Sequence, residues 1–143
     1  MQEIIKLLDT NKKGVAESAI IDTEQKLNVL FPTQYVELFK LANGPEVGEW
    51  ILFPIKDAKN LKKTWDDVVR QNTEVLDEVI PENLIAIAED GTGDYLCFEV
   101  EDGKAADPIF LWLHETTEME ELAPSLKDFI VIAQEEMEDF EED

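Results

Sequence analysis

Leu84-Ile85-Ala86-Ile87-Ala88-Glu89, then Asp90-Gly91-Thr92-Gly93-Asp94, then Tyr95-Leu96-Cys97-Phe98-Glu99-Val100-Glu101 is the stretch that decides the fold. Two short apolar runs flank five residues suited to a tight turn, because Gly, Asp and Thr accept the positive backbone angles or local bonds that a turn demands. Asp102-Gly103 is a second turn signal. It leads to a third run, Pro108 to Leu113, with Ile109, Phe110, Leu111 and Trp112. Three strands joined by such short connections pair antiparallel, as a meander.

Outward from the meander, the pattern turns helical. Pro124-Ser125 opens a helix whose Leu126, Phe129, Ile130, Ala133 and Met137 share one face, with Asp128 three residues after Ser125 as an imperfect capping box. Glu115 to Ala123 reads as an acidic loop. Towards the N-terminus, Ala58 to Gln71 reads as a helix with Leu61, Trp65, Val68 and Val69 on one side, and Glu49 to Ile55 as a strand. Pro32 fits the first turn of another helix, in which Tyr35, Leu38, Phe39 and Ala42 form a stripe before Asn43-Gly44 stops it. Val15 to Asn28 and Gln2 to Lys13 are two more helices, the latter ended by Asn11 to Gly14. The order is helices, strand, helix, three strands, helix. This predicts an α+β fold, an antiparallel or mixed sheet packed with helices, as one domain over 1–137 and an acidic tail over 138–143.

The chain's 143 residues suit one core, and its 44% apolar content is that of a globular protein. Twelve Lys and Arg stand against 34 Asp and Glu, a net charge of −22. Residues 1–71 hold 10 basic and 11 acidic residues; residues 72–143 hold only Lys104 and Lys127 against 23 acids. A surface of this sign repels a phosphate backbone, which excludes direct nucleic-acid binding, and steers cationic partners inwards. No apolar run is long enough for a membrane helix, and the N-terminus lacks the pattern of a secretory signal. A cytoplasmic protein is the expectation.

The chemistry-bearing candidates are few. A phosphate-binding glycine loop needs a helix after it, whereas a strand follows Asp94. The spacing of a calcium loop is also absent, so Asp90 to Asp94 is a tight hairpin or a protein-binding loop. Cys97, the single cysteine, sits among apolar strand residues with no basic neighbour and reads as a buried structural thiol. The one histidine, His114, precedes Glu115 but matches no nucleophile motif. No catalytic residues, metal ligands or cofactor are predicted, and the chain is read as a non-enzyme. Trp50 follows the turn at Gly48-Glu49, which marks it as the tryptophan most open to a partner.

Several of these segments, in order, resemble the SUKH superfamily, whose best-known branch is the Smi/Knr-type cell-wall-synthesis regulators. The resemblance is carried by Glu24, Leu27, Pro32, Tyr35, Phe39, Asn43 and Gly44, then by Gly91, Gly93 and Asp94 leading into Leu96 to Phe98. Ile109, Phe110, Trp112 and Glu115 follow, and Leu126 and Phe129 close the set. It implies a SUKH-like α+β domain and, for the bacterial branch, an immunity protein that binds and neutralises a cognate toxin domain. With the charge reading, the expected partner is a basic nuclease domain whose cleft the acidic surface covers. The alternative is a regulatory interaction scaffold of the fungal type. The contacts expected on this reading are Trp50, Glu89, Asp90, Asp94, Glu115 and Glu118, at strand ends or loops beside the Gly-x-Gly-Asp hairpin.

Overall fold

The structure, a computed structural model, describes all residues except Asp9, Asn11, Glu142 and Asp143, and omits the side chains of 138–141. Its helices are α1 (Gln2–Ile5), α2 (Glu17–Leu27), α3 (Thr33–Leu41), α4 (Val68–Arg70) and α5 (Leu126–Glu141). Its strands are β1 (Glu46–Val47), β2 (Trp50–Leu52), β3 (Leu84–Glu89), β4 (Tyr95–Glu101), β5 (Lys104–Ala105), β6 (Ile109–Trp112) and β7 (Met119–Ala123). They form one sheet in the order β1-β2-β3-β4-β6-β7, with β5 flanking β4, and every strand pair is antiparallel. The fold is α+β.

Helix α3 shows why the sequence folds this way. Phe31, Tyr35 and Phe39 are spaced by four, so their rings stack down one face, with centroids 4.2 and 4.3 Å apart. Phe98 of β4 meets Tyr35 edge-on at 5.8 Å, which docks the helix on the sheet. The Glu24 carboxylate accepts a hydrogen bond from the Phe31 N–H at 2.8 Å, tying α2 to the start of this stack. After α3, Asn43 exchanges two bonds with the backbone of Ile55, at 2.8 and 2.9 Å, and so fixes where β2 exits. The segment before α2 lies against the end of α3: Val15 donates to the Phe39 carbonyl and Asn43 to that of Lys13, each at 2.9 Å. Gly14 sits between them because a Cβ there would come within 1.9 Å of the Lys40 carbonyl oxygen.

Helix α5 begins as its sequence suggests, the Ser125 hydroxyl accepting from the Asp128 N–H and donating to its carboxylate. Its Leu126, Phe129, Ile130 and Ala133 are buried against the sheet. The helix continues past Met137 to Glu141, and the last two residues of the expected tail lie outside the described residues. The N-terminal helix is shorter than its apolar spacing suggests: α1 passes into a 3₁₀ turn at Lys6–Leu8. Asn11, expected to help end it, lies outside the described residues.

Two expectations are corrected. Residues 115–123 are not all loop, since Met119–Ala123 pairs with β6 as the edge strand β7. Its backbone finds a ladder partner in β6, and its outer side is open to water, so consecutive glutamates are tolerated and protect the edge from further pairing. Residues 58–71 are not one helix. Asp57 accepts from Lys59 N–H and donates its own N–H to the Thr64 hydroxyl, both at 3.0 Å, and these local bonds compete with helix formation. Helix α4 starts only at Val68, where the Asp67 carboxylate accepts from the Arg70 N–H, and it runs into a π-helical turn at Gln71–Val75. Trp65 is therefore not core but 68% exposed, with the Arg70 guanidinium 5.3 Å from its ring centre.

Candidate protein-interaction site

Strand register determines which loops meet. Ile51 pairs with Glu89, Glu89 with Tyr95, Tyr95 with Trp112 and Trp112 with Met119. The β1–β2 turn at Gly48-Glu49, the Asp90–Asp94 hairpin and the Leu113–Glu118 connection therefore all emerge at the same end of the sheet. Glu46 pairs with Ile51, so one row, Glu46, Ile51, Glu89, Tyr95, Trp112 and Met119, runs across six strands on a single face. Of these, Ile51 is 46% exposed and Tyr95 half-buried.

The two larger loops are stitched together. The Asp94 carboxylate accepts from the His114 backbone N–H at 3.0 Å and lies 2.6 Å from the ring Nδ1. The bonds from the His114 N–H and side chain hold the Asp94 carboxyl below the usual carboxylate range. Gly93, at φ +97°, makes room for that ring: a Cβ there would stand 3.2 Å from it. Asp90 accepts from the Thr92 N–H and hydroxyl, which shapes the hairpin tip. On the other side, Leu113 donates to the Glu118 carbonyl at 2.9 Å and closes the β6–β7 loop. Asp94, His114 and Glu115 share a cavity of about 360 Å³ with Thr92 and Thr116.

Five of the six sequence-nominated contacts gather at these two loops: Glu89 at the end of β3, Asp90 and Asp94 in the hairpin that follows it, and the exposed Glu115 and Glu118 on the second loop. Asp94 commits one oxygen to the His114 strap. Trp50 stands apart. It pairs with the buried Val47 on the opposite face from Ile51 and lines a groove against α5. Cys97 is fully buried, and burial pushes its thiol up to about 12, which keeps it protonated and unreactive.

The electrostatics of this end are one-sided. Segments 46–51, 89–95 and 112–121 carry nine carboxylates and no Lys or Arg. Among the described residues the only ion-pair partner any of them finds is His114, at Asp94. Burial, followed by the Glu89 and Asp66 carboxylates, raises the Tyr95 phenol above its ordinary value, which registers the negative field at the sheet face. Ile51, Tyr95, Leu122 and Ile132 were not singled out from the sequence as contacts. Only Ile132 carried a signal, an apolar residue outside the buried stripe of its helix. Ile51 and Tyr95 share a row through strand register, and Leu122 reaches the groove beside Trp50 through the packing of α5 on the sheet.

No helix of the described residues is long and apolar enough to cross a membrane. No curated protein matches the chain. The profile of the SMI1/KNR4 family (SUKH-1) matches residues 14–131, a span that takes in the aromatic stack of α3, both stitched loops and the first turns of α5. The chain therefore belongs to the SMI1/KNR4 family (SUKH-1).

Proposed function

We propose that the chain is an immunity protein that binds a toxin domain with a basic working cleft, a nuclease by class, and blocks it by occupancy. The observation that carries this reading is the convergence of three hairpin turns at one end of the sheet, with nine carboxylates and no Lys or Arg. A nuclease must hold phosphates with Lys and Arg, and carboxylates on short, hydrogen-bonded loops present a competing anion to that cleft. The stitched loops are preorganised, which lowers the entropic cost of docking. The family is consistent with such a role. Glu89, Asp90, Glu115 and Glu118 are the proposed charged contacts, with Asp94 as the residue that holds the two loops together. The reading calls for binding only, with neither catalytic group nor cofactor, in the cytoplasm where the target would act.

Co-expression tests it. Cells producing a basic toxin domain encoded beside this gene should grow when the chain is also produced. They should lose that protection when Asp90 and Glu115 are both changed to Lys. Growth arrest despite abundant folded chain, for every adjacent toxin domain, contradicts the reading.

A further inference from the structure

Trp50, Leu122, Phe129, Ile132, Ala133 and Met137 line a groove of about 570 Å³ between α5, the β1–β2 turn and β7. Leu122 is on the edge strand β7 and Trp50 on β2, next to the other edge, so the sheet curls far enough for both to reach α5. The turn closes tightly on the helix at Gly48, where a Cβ would stand 3.4 Å from that of Ala133. Phe129 and Ala133 form a buried floor, whereas Ile132 and Met137 are 39% and 41% exposed. Glu49 and Glu136 also line the groove, and among the described residues no Lys or Arg does.

We infer that this groove takes an apolar anchor flanked by Lys or Arg, an amphipathic helical segment of the protein partner. The inference rests on the reading above, that the partner is a basic protein, and names where its binding energy arises. Carboxylates at an exposed end speed encounter but are screened by salt, while affinity comes from a few desolvated apolar anchors. The groove's volume suits several side chains of one helical turn or two. Met137 supplies an adaptable wall. Glu49 joins the groove to the acidic end through the β1–β2 turn. Charge argues against the other occupants. A second copy would bring its own net charge of −22 to a rim of like sign, and an anionic ligand would meet the same rim.

The probe is a synthetic helical peptide of about four turns, with Leu at i, i+3, i+4 and i+7 and Lys elsewhere. A matched peptide carries Glu in place of Lys. Titration calorimetry should show the Lys peptide binding at least about tenfold more tightly than the Glu peptide. Ile132→Asp and Met137→Asp should each weaken it by about tenfold or more, although both make the chain more negative. Attraction by charge alone predicts the reverse. Both side chains are exposed, so the fold should be retained, and Met137→Gln gives the same comparison at constant shape and charge. If the Lys peptide fails to bind, or binds the Asp variants undiminished, the groove is not the anchor site. The acidic-loop reading, tested separately by growth protection and Asp90/Glu115 reversal, would stand. Sedimentation showing a dimer that these variants dissolve assigns the groove to a second copy and overturns the inference.

Discussion

The Asp94 carboxylate does more for the loops than its neighbours. One oxygen takes both the backbone N–H and the ring nitrogen of His114, and Gly93 clears the space in which the imidazole lies. The Gly-x-Gly-Asp pattern is thus first a device for joining two hairpins. Because the carboxyl is held below its unfolded value, it contributes stability at neutral pH that is lost as pH falls through the folded pKa. The stability advantage of the native chain over Asp94→Ala, measured by urea unfolding, should therefore be full at pH 5 and shrink as pH drops below about 4. A difference that stays constant or widens towards acid would contradict this account. The sequence shows that Asp94 belongs to a turn. It does not show that His114, twenty residues away, is its partner, because that contact follows from the β4–β6 register.

At the scale of elements, Asn72 is a joint between the segment after α4 and strand β3. Strand β2 covers only the upper part of β3, since Leu52 pairs with Ala88 and the last backbone bond between the two segments is from the Phe53 N–H to the Ile87 carbonyl at 2.9 Å. Below it, the Asn72 side chain takes the place of a strand. Its oxygen accepts from the Ala86 N–H at 2.8 Å and its amide donates to the Ala86 carbonyl at 2.9 Å. Asn72→Ala leaves both groups of a fully buried residue without partners, a cost of about 2–4 kcal/mol. Denaturant unfolding should show this as a lower midpoint at unchanged slope. A loss below about 0.5 kcal/mol would mean that the edge is satisfied in another way.

Elements with a buried stripe were legible in the sequence. The ring spacing of Phe31, Tyr35 and Phe39, the capped start at Ser125 and the short apolar runs of β3, β4 and β6 between turn residues all declare themselves locally. Those decided by competition were not. Leu61 and Trp65 have helical spacing, yet Asp57 and Thr64 fold the chain back locally before a helix forms, and Met119 to Ala123 becomes a strand only because β6 offers its edge.

Across the whole molecule, charge and topology act together. The sequence places the negative excess in residues 72–143, but only the antiparallel order brings Glu46 and Glu49, from the nearly neutral half, to the same end as the loops after β3 and β6. The apolar groove likewise joins residues some seventy positions apart. Steering by such an end raises association rates by about 10–10³-fold at low ionic strength and fades as salt screens it.

The most direct measurement is the stopped-flow association rate of the chain with a purified basic toxin domain, followed across an ionic-strength series. The account predicts a rate that falls steeply with salt. Asp90→Lys with Glu115→Lys should be at least about tenfold slower at low salt and show a flattened salt dependence. A rate indifferent to salt and identical in the variant would remove the acidic end from the interface.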